Sequence, residues 1–360
     1  EAIGAMGIII DPRDGRILSM VSVPDFNPNF QQEFEASYKK NRVVSDLIEP
    51  GSTFKIVTIS AALEDGIEPL REYNVESPYD FHGIKIVEDY EPNTILTTEE
   101  ILIYSSNIGT IKIAEELGRD RIYNKTKEFG FGSKTGLGLY GEPDGTLRDT
   151  KKWTLSSMHS IPIGYEISVT PIHVAMAYAS IANGGFLLKP YLVDKVIKND
   201  KTTLNNKKRV KKRVLSQSNA ETLKNILFKT INIGSGKKAY LEGWDVAGKT
   251  GTAQKSISGG YSESKHLSSF VGFFPEDNPQ LLALIIIDEP STSGNQHFGG
   301  VSAAPVFKEV MKQIINIDDS KTIIFSNPSA LTLLLDHYLV FPGDEFKLPF
   351  KEGQIVHQRL

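Results

Sequence analysis

Cysteine is absent from all 360 residues, which rules out disulfides, thiolate metal sites and a cysteine nucleophile while leaving the compartment open. A dominant charge is missing too. The formal net charge is −4, so no general basic field points to nucleic acid. The one basic run, Lys207-Lys208-Arg209-Val210-Lys211-Lys212-Arg213, reads as a solvated hairpin or loop. Long apolar runs are also lacking: the longest, Leu281 to Ile287, falls far short of the roughly 20 residues that span a bilayer. The N-terminus carries no signal-peptide pattern and opens directly into strand-like sequence, as though an upstream part had been removed. The seven histidines show no metal-ligand spacing, so neither a metal nor another cofactor is expected. What is present is an ordinary soluble composition, 40% hydrophobic and 23% charged. The length suits one large domain or two ordinary ones with a substantial core.

Along the chain, Met6 to Val23 reads as a β-hairpin closed by Asp11-Pro12-Arg13-Asp14-Gly15. Residues 30 to 49 are polar and are expected to line the approach to Ser52. Pro50-Gly51 breaks the chain before Ser52-Thr53-Phe54-Lys55, which runs into a helix apolar on one face and stopped at Asp65-Gly66. Thr97-Thr98-Glu99-Glu100 carries a capping box and starts a helix that ends at Ser105-Ser106-Asn107. Further helices are expected from about Ile108 to Leu117, Arg119 to Phe129, from Thr170-Pro171-Ile172-His173 through Ala182, and, behind a second capping box at Ser218 to Glu221, to about Ile231. The last third reads as strands: Trp244 to Ala253, Ser268 to Phe274, and Leu281 to Ile287, the last apolar on both faces and so expected to be covered on both. A helix from about Ala303 to Ile314 follows. Strands at both ends with helices between predict an α+β fold, in which a helical subdomain interrupts one antiparallel sheet.

Three short motifs carry chemistry, and each has a decoy. S-x-x-K occurs four times, at Ser52/Lys55, Ser37/Lys40, Ser235/Lys238 and Ser262/Lys265. Only Ser52 opens a long apolar helix after a Pro-Gly break, with Lys55 one turn on along the same face. Free N–H groups and the dipole at such a helix start favour a developing negative charge, and a desolvated lysine can take the serine proton. The plain alternative is a serine that caps a core helix. S-x-N occurs at Ser105/Asn107, at a helix end, and at Ser293/Asn295, in a polar loop. K-T-G occurs at Lys249-Thr250-Gly251, on a strand, and at Lys134-Thr135-Gly136, in a glycine-rich loop. The trio at 52, 105 and 249 suits acyl transfer through a serine ester. Ser52 attacks a carbonyl, Lys55 accepts its proton, and Ser105 relays a proton to the leaving amine. Asn107 holds Lys55 and binds the substrate amide. Lys249 depresses the pKa of the nearby lysine and attracts a carboxylate. Gly251 lets substrate lie along the strand edge, and the N–H groups of Ser52 and Thr252 form an oxyanion hole.

With these motifs in this order, the chain resembles the transpeptidase domain of class B penicillin-binding proteins. Its feel is closest to the cell-division (septal) type. Asp11 to Pro28, Glu49 to Phe54, Ser105 to Gly109, Gly164 to Pro171, Gly248 to Gln254, Phe270 to Pro279 and Gly299 to Phe307 resemble blocks of that family. The resemblance implies a penicillin-binding-protein/β-lactamase-like fold in residues 1–316. Its sheet part would fall at about 1–65 and 186–316 and its helical subdomain at about 66–185, followed by an extension, 317–360, of unknown role. It further implies a D,D-transpeptidase that cross-links peptidoglycan stem peptides ending in D-Ala-D-Ala and is acylated by β-lactams at Ser52. Thr250 and Thr252 would hold the substrate carboxylate. The setting implied is the extracytoplasmic face of the bacterial cell membrane, with a membrane glycosyltransferase and division proteins bound through an absent N-terminal region. Rival readings are a β-lactamase or D,D-carboxypeptidase, and a non-catalytic penicillin-sensing or scaffold domain. Glu166 lies in a block unlike a β-lactamase loop and is not assigned as a deacylating base.

Overall fold

The computed structural model describes residues 2–88, 94–198 and 201–317. The extension, apart from Ile317, lies outside the described residues, as does the short helix read at Ala330 to His337. Alternating apolar residues at the N-terminus form the hairpin β1 (Gly4–Asp11) and β2 (Arg16–Val23), whose turn is held by Asp11 accepting from the Arg13 N–H at 3.0 Å. The rest of the sheet comes from the last third: β3 (Ala247–Ile257), β4 (Gly260–Phe274) and β5 (Leu281–Asp288). The order is β3-β4-β5-β1-β2, each pair antiparallel. Strands from the first and last thirds of the chain thus meet in one sheet, as the α+β reading expects.

The β5 strand shows why its sequence lacks polar alternation. Leu282, Leu284 and Ile286 join the large core on one face, while Leu281, Ala283 and Ile285 join a second core on the other. The period of two along a strand sends alternate side chains to opposite faces, so a strand covered twice must be apolar throughout. The helix Pro171–Ala182 packs on the first face and Ala303–Ile317 on the second.

The helices that position the site are α1 (Lys55–Glu64), α2 (Thr98–Ile103), α3 (Asn107–Leu117) and α4 (Arg119–Glu128), with α5 (Pro171–Ala182), α6 (Gln217–Asn232) and α7 (Ala303–Ile317). The capping box at Thr97/Glu100 is formed, and α5 starts at Pro171 as the Thr-Pro signal predicts. Two local readings change. Helix α1 is buried on every side from Lys55 to Leu63, not on one face alone, because it is enclosed by α2, α3, α4 and α6. Helix α6 is capped by Ser216, two residues ahead of the predicted box. The Ser216 hydroxyl accepts from the Asn219 N–H at 3.2 Å and donates to the Glu64 carboxylate at 3.1 Å, a tertiary tie that decides between neighbouring serines. The basic run contributes an exposed strand, Val210–Arg213, paired with Phe186–Leu188.

Candidate active site

Ser52 lies in a 3₁₀ turn, Gly51–Phe54, which leads into α1. It is therefore one tight turn ahead of the α-helix proper. Gly51 has φ +54°, and a Cβ there would stand 2.8 Å from the Thr252 carbonyl oxygen and 3.2 Å from the Ala253 Cβ. Only a glycine allows the turn to lie this close to β3. The turn is fastened from three sides: Thr53 Oγ1 donates to the Pro50 carbonyl (2.8 Å), Tyr178 Oη to the Thr53 carbonyl (3.0 Å), and the Gly51 N–H to the Gly164 carbonyl (3.1 Å).

Lys55, fully buried, points from the first turn of α1 into the break between α2 and α3. Its Nζ donates to the Ser105 carbonyl at 2.5 Å and to Asn107 Oδ1 at 2.7 Å, and it lies 3.3 Å from Ser105 Oγ. Ser105 achieves this in a left-handed conformation, φ +65°, which is rare for a residue with a Cβ. A backbone held in that region turns carbonyl and hydroxyl together toward the ammonium.

Lys249, also fully buried, stands on β3 opposite Val271 of β4, and its Nζ reaches the Thr250 carbonyl at 3.3 Å. Burial, reinforced by the charge of Lys55, pulls its pKa well below the ordinary lysine value. The two lysines differ in their acceptors: Lys55 is met by oxygens from Ser105 and Asn107 at 2.5 and 2.7 Å, Lys249 by a carbonyl at 3.3 Å.

Thr250 Oγ1 is 3.0 Å from Ser235 Oγ, and Thr252 Oγ1 accepts from the Gly299 N–H at 3.1 Å. Gly251 does not present its missing side chain to open space. A Cβ there would lie 2.3 Å from Ser269 Oγ and 2.8 Å from Thr53 Cγ2. Its smallness lets the Ser52 turn pack on the strand. Thus the Ser52 turn packs on the Thr250–Ala253 stretch of β3, Lys55 is joined to Ser105 and Asn107, and Lys249 feels the charge of Lys55. Ser235 and Gly299 were not legible beforehand. In the sequence Ser235 is half of a decoy S-x-x-K, and only the fold brings it to Thr250.

Residues 5–312 match the family described as penicillin binding protein transpeptidase domain. The chain belongs to this family. Stage V sporulation protein D of Bacillus subtilis is 35% identical to the transpeptidase domain over 317 residues, 86% of this chain and 48% of that protein. The probable peptidoglycan D,D-transpeptidase PenA of Neisseria flavescens is 33% identical over 312 residues, 86% of this chain and 74% of that protein. Among solved structures, the apo transpeptidase domain of Burkholderia pseudomallei penicillin-binding protein 3 aligns with TM-score 0.76 at 29% identity, covering 88% of both chains. Penicillin-binding protein 3 of Mycobacterium tuberculosis, complexed with aztreonam, aligns with TM-score 0.80 at 28% identity, over 88% of this chain and 73% of that one. The penicillin-binding-protein fold read from the motifs therefore holds. The chain spans about half the length of the first curated relatives it matches.

The second S-x-N and the second K-T-G sit elsewhere in the transpeptidase domain. Ser293–Asn295 is a turn with no buried residue, and Lys134-Thr135-Gly136 lies in a loop with Lys134 exposed. Glu166 is held by Arg148 and by the Ser157 hydroxyl at 2.8 Å. Among the described residues no group of three or more His, Asp or Glu is placed to hold a metal, and no helix is long and apolar enough to cross a membrane.

Proposed function

We propose that this domain is a serine D,D-transpeptidase that cross-links peptidoglycan stem peptides through an acyl-enzyme on Ser52, and that β-lactams acylate the same residue. The observation that carries the reading is the meeting of three distant segments: Lys55 Nζ bonded to Ser105 and Asn107, and Lys249 close enough for the charge of Lys55 to depress it. Two buried ammoniums so placed resist being charged together. Such a pair gives up one of its protons more readily than two separate lysines, and it can then take the proton of Ser52 through Lys55. Ser52 Oγ then bonds to the carbonyl carbon of the penultimate D-alanine. Ser105 passes a proton to the departing D-alanine, and the amine of a second stem later displaces Ser52. Asn107 holds Lys55 and the substrate amide. Thr250, Gly251 and Thr252 form the strand on which the terminal carboxylate rests, and the N–H groups of Ser52 and Thr252 stabilise the oxyanion.

We further assign residues 1–316 to one working unit, with Ser52 and Lys249 on the sheet part (about 1–65 and 186–316) and Ser105 and Asn107 on the helical part (about 66–185). The substrate places the reaction outside the cytoplasmic membrane, alongside the glycosyltransferase and division proteins that the resemblance implies. Against a hydrolase, Glu166 is spent on Arg148 and Ser157. Fluorescent penicillin should label wild type and not Ser52→Ala, with mass spectrometry placing the adduct on Ser52. A labelled Ser52→Ala protein sinks the assignment. Rapid turnover of a chromogenic cephalosporin would favour the β-lactamase reading. Failure to transfer a thioester or stem peptide to an acceptor D-amino acid would favour a sensor.

A further inference from the structure

Glu88 stands outside every motif, at the end of the short ribbon made by Tyr79–Phe81 and Ile84–Ile86. Its carboxylate nevertheless reaches the start of α3. One oxygen accepts from the Ser106 hydroxyl and from the Ile108 N–H at 3.0 Å; the other accepts from the Asn107 N–H at 2.8 Å. The Glu88 N–H is itself held by Ser77 Oγ at 3.2 Å. Ser106 is fully buried, and its Oγ also accepts from the Gly109 N–H at 2.9 Å, as the helix cap. The first turn of a helix leaves N–H groups without intrahelical partners, and a carboxylate there is favoured by the dipole. Here that anion comes from a separate loop 19 residues away, and it grips the backbone of Asn107.

The grip matters because of what lies on either side. Ser105, in its left-handed conformation, and Asn107 supply the acceptors of Lys55 Nζ. The bonds run Glu88 to the Asn107 backbone, and the Asn107 side chain to Lys55. A shift of the α3 start would carry both Lys55 acceptors with it. We propose that Glu88 is a positioning residue for acyl transfer, setting the place of Ser105 and Asn107, and through them the ammonium of Lys55, without touching substrate. This rests on the reading of Ser52 as nucleophile.

The test compares Glu88→Gln, Glu88→Ala and Glu88→Asp with wild type and Ser52→Ala in the same domain. Glutamine keeps the shape of the side chain but turns one acceptor into a donor facing the donors of α3. The saturating rate constant of penicillin acylation should fall ten- to hundredfold in Glu88→Gln and Glu88→Ala, with the apparent Kd changed less than threefold. Displacements of about 1 Å at a catalytic group have effects of this size. Glu88→Asp, which keeps the carboxylate, should recover most of the rate. Independently of activity, amide hydrogen exchange at Asn107 and Ile108 should quicken in Glu88→Gln while the rest of α3 stays protected. Unchanged exchange at these amides overturns the proposal. So does quickened exchange with an unchanged acylation rate, or a lowered Tm with full rate in the folded fraction, since these describe a structural cap only. Labelling of Ser52→Ala would overturn the nucleophile assignment instead, and the exchange result would still judge whether Glu88 fixes the turn.

Discussion

The tripeptide Lys-Thr-Gly occurs twice in this chain, and its two copies live in opposite surroundings. At 249–251 it lies on β3, at the edge of the central sheet, with the lysine fully buried beside Lys55 and the glycine packed against the Ser52 turn. At 134–136 the lysine is exposed. The threonine is buried instead, with its N–H bonded to the Glu142 carboxylate at 2.7 Å, and Gly136 has φ +87°. In the first copy the lysine is the chemically altered member; in the second, the threonine is a structural peg and the glycine serves a turn. Three side-chain types in a row specify neither role. Burial and a neighbouring charge do, because they alone shift a lysine from its solution behaviour.

The largest expected effect comes from exchanging each lysine for methionine. Lys249→Met should slow penicillin acylation by about 10²–10⁴-fold, the usual weight of a proton-transfer group. Lys134→Met should leave it within about twofold, and its stability within about 0.5 kcal/mol, as for exposed positions generally. Stopped-flow labelling measures both, and equal losses would erase the contrast between the copies.

A pH series sharpens the same comparison. Lys249 is depressed by burial and by Lys55, so acylation should fall as pH drops through its lowered pKa and the lysine pair regains its second proton. Stability carries the matching sign. Between that lowered value and the ordinary lysine range, the unfolded chain holds a proton that the native chain lacks, so this contribution to stability rises with pH. Denaturant melts should show a shallower rise with pH for Lys249→Met than for wild type, whereas Lys134→Met should follow wild type. A parallel rise in all three proteins would contradict the depression of Lys249.

Smaller effects follow at the other two positions. Gly251→Ala would force a methyl to within 2.3 Å of Ser269 Oγ and 2.8 Å of Thr53 Cγ2, costing about 1–3 kcal/mol of overpacking. Because Thr53 belongs to the Ser52 turn, labelling should slow as well. Gly136→Ala has only Lys189 methylenes near its new Cβ, the closest at 3.4 Å. It should cost about 1–2 kcal/mol for the left-handed backbone, with labelling unchanged. Thr135→Val, which removes the hydroxyl bonded to Glu142, should cost about 1 kcal/mol in thermal melts, again without effect on labelling. Slowed labelling in either loop variant would tie the loop to the cleft.

Much of this was written locally. The Pro50-Gly51 break, the Thr97/Glu100 box and the Thr170-Pro171 start act within a few residues of backbone, and the unrelieved apolar run of β5 announced a strand covered on both faces. The order Ser52, Ser105, Lys249 singled out the candidate copies among their decoys. Local patterns miscarried where a distant partner intervened. Glu64 draws Ser216 into the cap of α6, and the helices surrounding α1 bury the face that its sequence seemed to leave free.

By itself, then, the amino-acid order determined which elements form and which serine and lysines are candidates, because capping, alternation and chain breaks act between near neighbours. Tertiary structure alone decided what those candidates are next to. Lys55 meets its acceptors some 50 residues away, Thr250 meets Ser235, and Glu88 reaches the first turn of α3. A lysine's proton affinity is set by the dielectric and charges within a few ångströms of its nitrogen, and here those charges arrive from remote parts of the chain. That is why Lys249 and Lys134, identical with their next two neighbours in sequence, are different chemical groups in the folded protein.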